Sequence, residues 1–254
     1  MTPIENKIGE LSRKCARSRS RKVLISAAKG LLLIVAMLTV TASAAPAQTQ
    51  FASQDTQIWN DDLATVGLSK RDALAIGLGV RKGFDAYYLV RIGAGFSLAS
   101  REREFGPAKF QITLFPHYDY YVGTKMPMVL QEENRFSPEI TPSVSLKCWK
   151  LADRNRGEAR SMQGNLAWRY RNRIEIDHPA PWNLAAFASY EFFYDASKNT
   201  WHEARFAAGA GHPLRRNLTI QVYYLGQWHG SLPGNVNALG ITFNMSLREK
   251  NRGS

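Results

Sequence analysis

The sequence predicts an all-β fold: a single antiparallel up-and-down β-barrel of about ten strands, within about 8–12, preceded by a cleavable signal peptide. Three observations lead there. Apolar and polar residues alternate along most of the chain. Several alternating stretches exceed ten residues, which suits tilted strands crossing a bilayer better than a soluble sandwich. An export signal precedes them all.

That signal occupies residues 1–47, and residues 48–254 form the barrel domain. A basic region runs to Lys22, the apolar stretch GLLLIVAMLTV spans Gly30–Val40, and TASAAPAQ offers A-x-A cleavage sites at Ala42–Ala44 and Ala45–Ala47. Lys29 keeps the apolar run to about half of what a spanning helix needs, which argues against a retained anchor. Eight Lys/Arg and two Glu up to Ala47 contribute +6 of the formal +12, leaving +6 for the barrel. Cys15 falls within the signal, so Cys148 is expected to stand alone as a small hydrophobe.

The clearest strand is ALGITFNMSL, with Leu239, Ile241, Phe243, Met245 and Leu247 on one face and Gly240, Thr242, Asn244 and Ser246 on the other. LTIQVYYLGQW, WNLAAFASYEFFYD and DAYYLVRIGAGFSL repeat the pattern. With weaker candidates, strands are expected at 56–62, 73–81, 84–98, 108–122, 133–149, 161–177, 181–194, 203–212, 216–228 and 236–247. The links RKGF, HPAP and HPLRRN are short, whereas ASREREFGP, KLADRNRGEAR and DASKNTWH are longer and charged. Short turns at one end and polar loops at the other fit a barrel with both termini in the periplasm. GTKMPMVLQ breaks this rule, being long and apolar on the short side.

The stretch LAWRYRNRIEID fixes the faces. Leu166, Trp168, Tyr170, Ile174 and Ile176 lie on one side; Arg169, Arg171, Arg173, Glu175 and Asp177 lie on the other. Each arginine facing lipid near the midplane costs about 2–4 kcal/mol, and three would cancel much of a domain's stability. The arginines therefore point inward. Other strands offer partners at their polar parity: Arg91, Glu133, Arg135, Glu139, Glu191 and Arg205. Buried ions need pairing, so these ten residues form the expected lumen charge network. A nucleic-acid surface is excluded, because single-strand platforms need arginine and aromatic residues on one face. Trp59, Trp168, Trp182, Trp201 and Trp228, with Tyr121, Tyr194 and Tyr224, are assigned to interfacial girdles.

In the order QIWNDDL, ENRF, RYRNRIEI, YEFF and YYLGQWHG…NALGITFNM, the chain over about residues 55–247 resembles a family of uncharacterised exported bacterial proteins, a domain of unknown function. The resemblance implies a small outer-membrane β-barrel and no established activity. Departing from the terminal aromatic residue of many outer-membrane strands, Met245-Ser246-Leu247 is followed by the charged REKNRGS.

Three functions are weighed. The first is a non-enzymatic protein of a Gram-negative outer membrane, structural, adhesive or a narrow channel. The second is a lipid- or envelope-modifying hydrolase, for which His117 and Asp119 share a face and Ser137 or Ser143 could approach; no G-x-S-x-G elbow is present. The third is a soluble periplasmic β-sandwich or lipocalin-like carrier. The expected partners are outer-membrane lipid and, during insertion, periplasmic chaperones and the barrel-assembly machinery. The scattered histidines point to no metal, and no cofactor is called for.

Overall fold

The computed structural model describes residues 55–83, 88–125, 129–229 and 235–248. The expected signal peptide lies outside the described residues. Every element among them is a β-strand: β1 (Asp55–Gly67), β2 (Asp72–Gly83), β3 (Tyr88–Ala99), β4 (Arg103–Phe105), β5 (Ala108–Leu114), β6 (His117–Lys125), β7 (Val129–Ser137), β8 (Glu139–Leu146), β9 (Trp149–Met162), β10 (Asn165–Ala180), β11 (Leu184–Asp195), β12 (Thr200–Arg215), β13 (Leu218–His229) and β14 (Val236–Arg248).

Eleven strands close into a ring in the order β1-β2-β3-β6-β7-β9-β10-β11-β12-β13-β14. β5 and β8 continue the walls of β6 and β7 beyond Phe115–Pro116 and Pro138, and β4 adds a short hairpin to β5. Proline donates no ladder hydrogen bond, so each wall breaks at its proline. The breaks are bridged where Phe115 N–H donates to Glu139 O (2.8 Å) and Gly157 N–H to Pro138 O (3.1 Å).

Following hydrogen-bonded partners once round the ring from Leu130 leads back to the same wall at Val144, a shear of 14 residues (144 − 130). With ordinary strand spacings this corresponds to a tilt of roughly 40° and a backbone diameter of roughly 22 Å. Such a bore is narrow enough for long side chains to fill.

An odd number of alternating strands must close through a parallel pair, and β1 runs parallel to β14. The expected all-antiparallel ring is thereby corrected, and so is the placement of both ends of the barrel at one rim. β1 begins at what we call the N-terminal rim; β14 ends at the C-terminal rim.

The extra strand is β9. Its central residues were expected to form the loop KLADRNRGEAR, and counting them as a strand moves every later link to the opposite rim. HPAP and HPLRRN thus join ASREREFGP at the C-terminal rim, while DASKNTWH lies with RKGF at the other. Loop length does not sort by side. GTKMPMVLQ is largely strand: β6 runs to Lys125 and β7 resumes at Val129. Cys148 lies in the turn between β8 and β9.

The parallel seam carries its own fastening. Its register passes from Asn60↔Ile241 directly to Leu63↔Asn244. Across that gap Asp62 Oδ1 accepts the Phe243 N–H (2.9 Å) and Asn60 Nδ2 donates to Ile241 O (3.1 Å) and to Asp62 Oδ1 (2.9 Å). The motif QIWNDDL thus closes the barrel from outside with Asn60 and Asp62, while Gln57, Trp59 and Asp61 point inward.

Outward positions are apolar and exposed around the ring: Ile92 51%, Leu78 52%, Leu239 51%, Ile174 47%. One exception is a mid-height cluster on β9 and β10, where Asn172 Nδ2 donates to Asp153 Oδ1 (2.5 Å) and Asn155 Oδ1 (3.2 Å), and Tyr170 O–H to Asn155 Oδ1 (2.5 Å). The apolar core lies inside the N-terminal half, where Trp59, Leu225, Val236 and Ala238 pack together. Trp59 and Tyr121 are accordingly lumen residues, not girdle aromatics. Trp168, Trp182, Trp201 and Trp228 are exposed outside, and Trp201 packs against Tyr170, Phe192 and Tyr194.

Candidate functional site at the barrel waist

The pleat sends alternate residues of β10 inward, and its neighbours do the same at matching register. Along β9 and β10 this sets Arg156 opposite Arg171 and Arg154 opposite Arg173. Like charges placed directly across a ladder repel, so this arrangement requires carboxylates shared between arginines.

Glu158 is the hub and is fully buried (0% exposed). Its Oε2 accepts from Arg169 Nε (2.7 Å) and Nη2 lies 2.7 Å away; its Oε1 accepts from Arg171 Nη1 (2.7 Å). Arg135 and Arg156 stand at 3.6 and 3.9 Å. Glu191 accepts from Arg154 Nη2 (2.5 Å) and Arg171 Nη2 (2.8 Å), with Arg205 at 3.9 Å. Glu139 holds Arg156 through Nε (2.9 Å) and Nη2 (2.6 Å). Glu133 holds Arg160 (2.6 Å) and Arg135 (2.9 Å), and Glu203 lies 2.7 Å from Arg205. Glu133, Glu139, Glu158 and Glu191 each serve at least two arginines, while Glu203 is paired with Arg205.

Aromatic rings complete the packing. Phe193, fully buried, has the guanidinium carbons of Arg205, Arg171 and Arg169 at 4.4, 4.7 and 5.1 Å from its ring centre. Arg81 lies 3.9 Å over Trp59 and Arg135 4.1 Å over Tyr121. Planar guanidinium suits both the bidentate carboxylate and the ring face. The facing wall is glycine: a Cβ on Gly93 would sit 1.9 Å from Asp119 Oδ1.

Of the ten residues expected in the lumen, Glu133, Arg135, Glu139, Arg169, Arg171, Glu191 and Arg205 share one connected lattice. Arg91 pairs with Asp61 on the opposite wall (3.4 Å). Arg173 and Glu175 pair with each other (3.1 Å), more exposed than the rest. Sequence reasoning missed Arg154, Arg156, Glu158 and Arg160, all on β9, as well as Phe193. The signal was there: Arg154, Arg156, Glu158 and Arg160 alternate at period two. It was hidden because the intervening residues, Asp153, Asn155, Gly157 and Ala159, offer no apolar face.

The hydrolase constellation does not assemble. His117 is hydrogen-bonded through Nδ1 to Phe115 O (3.0 Å), so that nitrogen carries the proton, and Nε2 faces Asp119 Oδ2 at 3.4 Å. A catalytic triad uses Nδ1 for the carboxylate and Nε2 for the nucleophile. Ser137, paired across from His117, is fully buried, and the hydroxyl of Ser143, the other serine considered, donates to Gln111 O (3.4 Å).

Fold and interior together define a closed β-barrel whose waist is filled by charge. The chain belongs to the DUF2490 family of proteins of unknown function, which matches residues 82–237. The motifs that carried the resemblance converge inside: Glu133 and Arg135 of ENRF, the arginines of RYRNRIEI, Glu191 and Phe193 of YEFF, and Gln227 of GQWHG, which accepts from Arg205 Nε (2.6 Å). No curated protein matches the chain. Among solved structures it is similar to an anion-selective porin from Comamonas acidovorans, at 9% identity and a TM-score of 0.31, over 68% of this chain and 82% of that one. A likeness at that level carries no inference about transport.

Proposed function

We propose that the protein is a non-enzymatic outer-membrane β-barrel whose lumen is held shut at the waist, a structural element of the envelope rather than an open pore. The observation that carries this reading is Glu158: completely buried, it joins four arginines drawn from three strands in the middle of the bore. A conducting lumen needs water along its axis, and a dry hub of shared ion pairs leaves none. The apolar outer face supports a lipid environment over the soluble-carrier alternative, since large exposed apolar surfaces are rare on soluble monomers. Outer-membrane lipid is then the standing partner, with periplasmic chaperones and the assembly machinery acting during insertion.

The test is reconstitution of the mature protein in planar bilayers. The expected result is a heat-modifiable band on an unboiled gel and a silent bilayer, with conductance appearing in Glu158→Ala if that variant inserts. Steady ohmic conductance from the wild type would overturn the sealed-waist reading.

A further inference from the structure

The two rims of the barrel differ in charge. Four links at the C-terminal rim repeat one pattern: an exposed leucine at a strand end, then within three residues one or two exposed cations. Leu68 precedes Lys70 and Arg71, Leu98 precedes Arg101, Leu146 precedes Lys147, and Leu214 precedes Arg215 and Arg216. None of these six cations is ion-paired among the described residues. The carboxylates close by are engaged elsewhere. Glu102 and Glu104 pair with Lys109 (3.2 and 2.8 Å), and Asp72 accepts from Ser69 Oγ (2.7 Å). At the N-terminal rim the apolar band ends instead on the exposed aromatics Tyr88, Trp168, Trp201 and Trp228. Lys82 and Lys198 are the only exposed cations there among the described residues.

Most of these cations lie on one arc. Arg71 O accepts the Ala99 N–H (3.1 Å), which fastens the β1–β2 turn beside the link that carries Arg101. Asn217 O accepts the Ser246 N–H (2.8 Å), which fastens the β12–β13 turn to β14, and β14 pairs with β1 up to Gly67↔Arg248. Arg215, Arg216, Lys70, Arg71 and Arg101 therefore stand along the C-terminal edge of six of the eleven strands, from β12 to β3. Like charges gathered in this way repel one another unless anions lie between them. The leucines decide which anions fit. A cation just past the edge of an apolar band keeps its stem along the hydrocarbon and its charge at the level of lipid headgroups. A soluble anion meets only that charge. A lipid meets the leucine through its acyl chain and the cation through its phosphate. Aromatic belts settle at either interface, so the difference between the rims lies in the cations.

We infer that the arc from β12 to β3 at the C-terminal rim is a docking surface for anionic phospholipid headgroups, held by Arg215, Arg216, Lys70, Arg71 and Arg101. The inference rests on the lipid-embedded barrel proposed above. The test is native mass spectrometry of the mature chain, folded in detergent micelles that carry equal amounts of phosphatidylglycerol and phosphatidylcholine. The wild type is expected to retain phosphatidylglycerol about fivefold or more over phosphatidylcholine, and to lose that preference in high salt. Lys70→Gln and Arg71→Gln combined with Arg215→Gln and Arg216→Gln change exposed side chains only. That variant is expected to hold the two lipids alike while the unboiled gel still shows a folded band. Lys82→Gln with Lys198→Gln, at the other rim, is expected to keep the preference. Equal retention of both lipids by the folded wild type overturns the docking surface, as does an unchanged preference in the C-terminal-rim variant. Displacement of the bound lipid by soluble glycerol phosphate also overturns it, since the arc would then hold free anions. A wild type without a heat-modified band would instead sink the barrel itself.

Discussion

Asp62 Oδ1 accepts the backbone N–H of Phe243 at 2.9 Å, and does so at the one place where the parallel ladder between β1 and β14 skips a step. An eleven-stranded ring has no choice about having such a seam, and a side-chain carboxylate supplies the acceptor that the strand does not. Replacing Asp62 by Ala strands that amide, at a cost of about 1–3 kcal/mol. The expected outcome is an earlier loss of the folded band as gel samples are warmed. Asp62→Asn keeps an acceptor oxygen and is expected to fall much closer to wild type. Equal melting of Asp62→Ala and wild type would mean that the seam does not depend on this clip.

Glu158 invites a sharper expectation. Its removal leaves Arg169 and Arg171 without a hydrogen-bonded carboxylate on their Glu158 side, and breaking a buried pair typically costs about 3–5 kcal/mol. Glu158→Gln retains shape and loses charge, so it is expected to lie between wild type and Glu158→Ala. Because the lattice is shielded from solvent ions, its contribution should change little between low and high salt. A denaturation midpoint for the wild type that falls steeply with added salt would place the critical pairs at the surface instead.

The two faces of β10 can be set against each other directly. Arg171 is buried and bonded to Glu158 and Glu191, while Trp168, three positions away, is 55% exposed on the outer face. Arg171→Ala is expected to be strongly destabilising, because it strands carboxylates, and Trp168→Leu mild, because one apolar surface replaces another. A thermal series in which both variants lose the same stability contradicts the inward-facing lattice.

Much of this architecture was legible from alternation, because a strand with one apolar and one charged face has only one tolerable orientation. LAWRYRNRIEID could be assigned residue by residue on that ground. β9 could not: with Asp153, Asn155, Gly157 and Ala159 outward, it looks like a charged loop, and its outward polar groups are satisfied by Asn172 and Tyr170 of the next strand, a contact beyond sequence reach. That one omission hid the hub Glu158, set the strand count at ten, and assigned both ends to one rim. Trp59 misled for a related reason. It sits near a strand end, where girdle aromatics gather, yet its inward parity places it beneath Arg81, with its Nε1–H donated to Gln57 (2.6 Å).

The glycine wall opposite the lattice gives a last prediction. On Gly93 a Cβ would lie 1.9 Å from Asp119 Oδ1 and 2.9 Å from the carbonyl oxygen of Tyr118, so Asp119 rests directly on bare backbone. On Gly77, one strand over, the nearest atom is the flexible end of Arg91 at 3.3 Å. Gly93→Ala is therefore expected to destabilise by about 1–3 kcal/mol through overpacking, and Gly77→Ala far less. Combining Gly93→Ala with Asp119→Ala removes the closest contact but not the backbone one, so partial recovery is expected. Full recovery would mean that the carboxylate alone demands glycine. No recovery, with both glycine variants melting alike, would mean that the close approach of β3 to β6 is not what fixes this wall.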